Sequence, residues 1–195
     1  TSITAVNDAP TFAALANQTL AEDAAAKTLA AFTTVSAGGG ADEAGQSFSY
    51  TVTNDNNALF AVQPAIAANG TLTYTLAPNA FGTAMVTAFV TDSGGTANGG
   101  VDTTGPRTFT ITATPVADTP AVTNAATLED TQTTSGLAIT RNAADGAEVT
   151  HYKITGIAGG TLFLADGTTA VANGTFITAA QGALGLKFTS APDSV

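Results

Sequence analysis

The sequence predicts an all-β protein made of antiparallel β-sandwich repeats of about 110 residues, the second incomplete. Three observations carry this expectation. Apolar residues alternate with Ser and Thr at period two, clusters of Asn, Asp, Gly and Pro punctuate the alternating runs, and two landmarks recur at nearly the same spacing.

The landmarks set the organisation. Val6-Asn7-Asp8-Ala9-Pro10 returns as Val116-Ala117-Asp118-Thr119-Pro120, an offset of 110 (116 − 6). Thr19-Leu20-Ala21-Glu22-Asp23 returns as Ala126-Thr127-Leu128-Glu129-Asp130, an offset of 107 (129 − 22). Tandem units joined by Asp-x-Pro linkers account for both, the Pro stiffening each joint. Residues 1–10 are expected to be the end of a preceding repeat and its linker, and residues 11–115 a complete repeat. Residues 116–120 then form a second linker and residues 121–195 a partial second repeat. The opening Ser2-Ile3-Thr4-Ala5-Val6 resembles Thr110-Ile111-Thr112-Ala113, and only 77 residues (195 − 118) follow Asp118, so the last strands of the second repeat are expected after Val195.

Within the first repeat, strands are expected near residues 11–21, 28–35, 47–53, 58–63, 71–76, 83–91 and 107–114. Phe48, Tyr50 and Val52, then Leu72 and Tyr74, then Phe109 and Ile111, occupy alternate positions and should face the core. Asn54–Asn57, Asn69-Gly70, Pro78-Asn79, Asp92–Gly95 and Asn98–Gly100 supply the turns. The Ala-rich stretch Glu22–Phe32 reads as strand, loop and strand, being short and flanked by Thr. The second repeat continues through Leu137–Thr140, Val149–Ile154, Thr161–Leu164, Thr175–Thr178 and Leu184–Phe188. Its inner face is expected to hold Ile154, Leu162, Leu164, Phe176 and Phe188, which the missing strands would cover.

Composition narrows function. Fifteen acidic and five basic side chains give a net charge of −10, and no basic cluster exists to exchange counterions with a phosphate backbone or an anionic bilayer. Nucleic acid and membrane insertion are therefore not expected, and apolar runs such as Met85–Val90 fall far short of the ~20 residues of a span. With no Cys there are no disulfides or thiolate metal sites. The carboxylate pairs Asp42-Glu43 and Glu22-Asp23 lack the aromatic-lined cleft a glycosidase needs, since the chain has no Trp and three Tyr. His151, the sole imidazole, reads as a surface strand residue, and Ser93–Val101, bracketed by Asp92 and Asp102, as a Gly-rich hairpin connection without the Lys or helix of a phosphate cradle. Asn17, Asn69 and Asn173 each open an Asn-x-Thr tripeptide, the last two being Asn-Gly turns. No enzymatic activity is expected.

Val6–Pro10, Asp42–Gln46, Thr53–Phe60, Asp92–Gly100 and Arg141–Thr150 together resemble the cadherin-like and immunoglobulin-like repeats of very large bacterial surface adhesins and biofilm-matrix proteins. The resemblance implies Greek-key sandwiches, an extracellular or cell-surface location, and Ca²⁺ at the joints between neighbouring repeats of the same chain. Matched onto the animal cadherin joint, an upper site would use Asn7, Asp8, Asp42 and Glu43, and a middle site Glu22, Asp118 and Asp145 with Asn142 beside them. Hard oxygens of this kind are what Ca²⁺ takes. Ala117 stands where the first linker has Asn7, and the later loop keeps only Asn142 and Asp145 of a two-carboxylate motif, so weaker binding is expected there. The function implied is a rigid, non-enzymatic spacer. The alternatives are a filament subunit that self-associates into fibres by strand complementation, and a glycan- or protein-binding module working through Ser93–Val101.

Overall fold

The computed structural model describes residues 3–192 and divides into two compact units, Thr1–Pro115 and Val116–Val195. Ser2, part of the apparent match to a repeat end, lies outside the described residues, and residues 3–10 contain no strand. The expected all-β class is observed: both units are built from strands in several sheets, and the one α-helix among the described residues has five residues.

Unit 1 contains β1 (Thr11–Phe12), β2 (Gln18–Ala21), β3 (Lys27–Leu29), β4 (Val35–Ser36) and β5 (Phe48–Asn54). β6 (Phe60–Ile66), β7 (Leu72–Leu76), β8 (Gly82–Asp92) and β9 (Arg107–Thr114) follow. They form a four-stranded sheet in the order β2-β9-β8-β5, a three-stranded sheet β3-β7-β6, and the short pair β1-β4. Alternation explains the core. On β8, Ala84, Val86, Ala88 and Val90 are fully buried while Met85 between them is exposed, because successive side chains leave opposite faces. One apolar cluster joins Leu72, Tyr74 and Leu76 of the smaller sheet to Val86, Phe109 and Ile111 of the larger. Phe48, Tyr50 and Val52 of β5 are half-buried on the face expected for them, with Ser49, Thr51 and Thr53 exposed.

Unit 1 departs from the expected strands in two ways. The runs 11–21 and 28–35 are not single strands, because each serves two sheets. β1 pairs with β4 and β2 with β9; β3 pairs with β7 and β4 with β1. The crossings are held by Ala13 N–H donating to Thr34 O (2.9 Å) and by Asn17 Oδ1 accepting from Thr110 N–H (2.8 Å). The sheet is also not wholly antiparallel. β2 runs parallel to β9, with Gln18 opposite Ile111 and Ala21 opposite Thr114, a pairing available because the intervening chain is long enough to cross over.

Unit 2 contains β10 (Ala121–Val122), β11 (Ile139–Thr140), β12 (His151–Lys153), β13 (Gly160–Phe163), β14 (Ala170–Val171), β15 (Phe176–Thr178), α1 (Ala179–Ala183) and β16 (Lys187–Ser190). Its sheets are β10-β11, β12-β15 and β14-β13-β16, around a core of Ile139, Tyr152, Leu162, Val171, Ile177 and Leu186. α1 was not expected. Thr178 opens it with a capping box, its Oγ1 accepting from Gln181 N–H (3.1 Å) while Gln181 Oε1 accepts from Thr178 N–H (2.8 Å). Of the expected inner face, Leu162 is buried and Ile154, Leu164 and Phe188 are half-buried. Phe176 is corrected: it is 64% exposed, Lys153 Nζ lies 6.0 Å from its ring centroid, and Ile177, one position on, points inward instead.

The landmarks take the same local form in both units. After each linker Pro a two-residue strand pairs antiparallel with a second short strand, Phe12 with Val35 and Val122 with Ile139. The Asp of each Glu-Asp dipeptide is left-handed, with φ of 59° at Asp23 and 54° at Asp130.

The turn between β13 and β14 gives a pH expectation. Asp166 accepts from Thr169 Oγ1 (2.5 Å) and from the backbone N–H groups of Thr169 and Thr168 (2.9 Å each), which lowers its pKa to about 2. Any stability from the depressed value is present above the ordinary carboxylate range and is lost as pH falls toward 2. In a carboxyl-carbon NMR titration Asp166 should titrate near 2, and Thr169→Ala should move the midpoint upward. A midpoint that ignores the substitution would contradict this cause.

Candidate functional site

Six of the eight expected site residues fall into two hydrogen-bonded groups, Asn7, Asp8 and Glu43 in unit 1 and Asp118, Asn142 and Asp145 in unit 2, each built around an Asp-x-Pro segment. In unit 1, Asp8 N–H donates to Glu43 Oε1 (2.6 Å) and Gly39 N–H to Glu43 Oε2 (2.8 Å). Both oxygens of this buried carboxylate thus hold backbone donors, which is why a charged side chain is only 4% exposed there. Asn7 is a clamp. Its Nδ2 donates to Asp92 Oδ1 and to Val101 O (2.9 Å each), its Oδ1 accepts from Gln46 Nε2 (2.6 Å), and its carbonyl accepts from Val101 N–H (3.0 Å). The amide ties the linker to both ends of the Ser93–Val101 loop. Gly94 is required for it, since a Cβ there would lie 1.9 Å from Asn7 Oδ1. Asp42 is exposed and lines the same shallow cleft of about 160 Å³ as Asn7, Glu43 and Gln46.

In unit 2 the linker Asp118 N–H donates to Asp145 Oδ1 (2.8 Å), and Asn142 Nδ2 donates to Thr119 O (3.2 Å). Asn142 Oδ1 also accepts from Ala144 N–H (3.0 Å), an Asx turn that shapes the loop. Glu22 belongs to unit 1, where it is buried just after β2 with its N–H donating to Thr114 O (2.9 Å).

Three residues outside the expected sets belong to these groups. Asp92 is 6% exposed, accepts from Asn7 and from Gly94 N–H (2.9 Å) on Oδ1, and has no hydrogen-bond partner on Oδ2. Gln46 Oε1 is a second buried oxygen without a partner. In unit 2, Glu148 accepts from Gly146 N–H on Oε1 (2.5 Å), while Glu148 Oε2 and Asp145 Oδ2 are buried and unpartnered. A usable signal was present for Asp92, the Asp-x-Gly turn bracketing a Gly-rich loop. None was present for Gln46, whose role depends on where β5 begins.

The donor set is therefore oxygen-only and holds orphaned carboxylate oxygens in both units, the chemistry hard divalent cations take. Among the described residues no group of three or more Asp, Glu or His side chains is arranged to hold a metal unaided. Backbone carbonyls or amides would have to complete any coordination shell.

The other sequence candidates have local roles. His151 is exposed, with Nδ1 2.9 Å from Thr150 Oγ1. Asn69 Oδ1 accepts from Thr71 N–H (3.1 Å), and Asn173 bonds both the N–H and the carbonyl of Ile157 (2.8 and 3.1 Å). Asp102 O accepts from Asp92 N–H (2.9 Å) and so closes the Ser93–Val101 loop. Among the described residues no helix is long and apolar enough to cross a membrane. The sequence matches no protein-family model, and no curated protein is significantly similar to it.

Proposed function

We propose that this chain is a non-enzymatic structural segment of an extracellular bacterial surface or matrix protein, made of tandem Greek-key β-sandwiches of about 110 residues and stiffened by Ca²⁺ at its linkers. One observation carries the reading. Each unit holds its linker aspartate by the same device, a loop carboxylate on the backbone N–H, within a group that contains a buried carboxylate oxygen lacking a partner. A buried unpaired anionic oxygen is costly, and a bound cation relieves it. In a chain of net charge −10, two carboxylates about 4 Å apart repel by roughly 1–4 kcal/mol at effective dielectrics of 80 to 20, and a cation between them reverses the sign. The fold supports a mechanical role in a further way: the linker is clamped into its unit at Asn7 and Asp8.

Calorimetric titration with Ca²⁺ tests this. Saturable uptake is expected at dissociation constants on the order of 10⁻⁴–10⁻³ M, the range of extracellular modules. Asp92→Asn should weaken the unit 1 event and Asp145→Asn the unit 2 event, each by about tenfold or more, and Mg²⁺ should bind less tightly. Small-angle scattering of an intact multi-repeat protein should show a longer, stiffer particle with Ca²⁺ than with chelator. No uptake in calorimetry would end the Ca²⁺ part of the reading.

A further inference from the structure

Unit 2 carries an open cleft of about 480 Å³ lined by Ala125 and Thr127, by the segment 154–158, and by Leu137, Leu162 and Phe188. The residues lining it have counterparts in unit 1. By the Glu22/Glu129 offset of 107, residues 125–128 correspond to β2, whose partner in unit 1 is β9. Tyr50-Thr51-Val52-Thr53 matches Tyr152-Lys153-Ile154-Thr155 at an offset of 102, so β12 and the residues after it correspond to β5, whose partner is β8. The cleft thus lies between the counterparts of the two outer strands of the sheet β2-β9-β8-β5, where unit 1 inserts β9 and β8.

The edge that is open on β12 is the edge β5 gives to β8. Backbone groups on a strand alternate between its two edges. Across the β5–β8 ladder Asp55 N–H donates to Met85 O (3.3 Å), so odd-numbered residues face β8. The offset of 102 is even and preserves that parity. In unit 2 the even residues face the β15 side: Ile154 N–H donates to Thr175 O (2.9 Å), Ile154 O accepts from Gly174 N–H (2.8 Å), and Thr150 O accepts from Ala179 N–H (2.8 Å). The odd residues 151, 153 and 155 are left facing the other edge, where β12 has no ladder among the described residues. Residues 125–128, without their β9, form no strand, and Leu128 is 78% exposed.

We infer that this cleft is an acceptor for a β-hairpin of the β8–β9 kind, two extended segments that turn small apolar residues inward and Thr outward, supplied by repeat polypeptide of this same class. The inference rests on the tandem-repeat reading above and adds the position, edge and chemistry of the segment the cleft accepts. A second copy of this chain is not the occupant, because its β8 and β9 are already bonded to β5 and β2 within unit 1.

The test adds a synthetic peptide of residues 82–114 to the full 195-residue chain and follows amide hydrogen exchange. Binding should be saturable at one peptide per chain and should slow exchange at least tenfold at residues 125–128 and 151–157. A peptide with Ala84, Val86 and Ala88 replaced by Asp leaves the chain untouched and should bind at least tenfold more weakly. Unslowed exchange, or equal slowing by a scrambled peptide, overturns the inference. So does a dimer of the chain alone that already protects 151–157, which would make a second copy the occupant. So does a small apolar dye that fills the cleft and is not displaced by the peptide. Failure here with intact Ca²⁺ uptake removes the acceptor and leaves the linker reading standing; hairpin binding without Ca²⁺ uptake does the reverse.

Discussion

Replacing Leu72 by Ala should lower the stability of unit 1 by about 2–5 kcal/mol. Leu72 is fully buried at the start of β7, opposite Leu29 on one side and Ile66 on the other, in the middle strand of its sheet. The backbone on both sides is fixed by ladders, so the walls collapse little and the cavity cost adds to the lost transfer energy. With a urea dependence of about 1–3 kcal/mol per molar, the midpoint should fall by about 1 M or more. Leu184→Ala, at a site 76% exposed, should stay within about 0.5 kcal/mol of the native chain. Equal shifts for the two variants would show that the core of unit 1 is not where the structure places it. The chain has no Trp, and Tyr50 and Tyr74 both lie in unit 1, so tyrosine emission reports mainly on this unit.

Gly70→Ala should be nearly as damaging, at about 2–4 kcal/mol, for a backbone reason. Gly70 has φ of +78°, and a Cβ there would stand 1.9 Å from Thr33 O. That oxygen belongs to a main chain held by Thr33 N–H donating to Gly70 O (3.3 Å), so it cannot swing aside as a side chain would. Thr33 also carries the crossing between β3 and β4, and a shift there would disturb both sheets. Gly105→Ala is the control, with φ outside the left-handed region and nothing within 4 Å of its Cβ. Denaturant midpoints of the two variants decide the matter: a Gly70→Ala chain as stable as Gly105→Ala would refute the close approach.

The strand positions of unit 1 could be read from alternation because one face of each strand meets water and the other meets apolar neighbours, so period two is written in the residues themselves. Tyr74, Phe109 and Ile111 were legible as core on that ground, and so were the linker landmarks, whose Asp, Pro and Glu-Asp chemistry is local. Phe176 departs from its expected place because a three-residue strand is too short for alternation to say which of Phe176 and Ile177 turns inward; packing against β12 decides that. The site was only half legible. Asp8 with Glu43 and Asp118 with Asp145 lie within the expected groups, and Glu148 joins through a local bond to Gly146, but the bonds that bring Asp92 and Gln46 to Asn7 span 85 and 39 residues, which no spacing encodes. The sequence by itself determined the all-β class, the strand periods and the recurrence of the linkers, since propensity, alternation and turn chemistry act over a few residues. Only the tertiary structure decided which strands pair, that β2 lies parallel to β9, which carboxylate oxygens are buried without partners, and which edge of β12 is open. Those depend on backbone groups distant in sequence meeting at hydrogen-bond length, which a one-dimensional pattern does not specify.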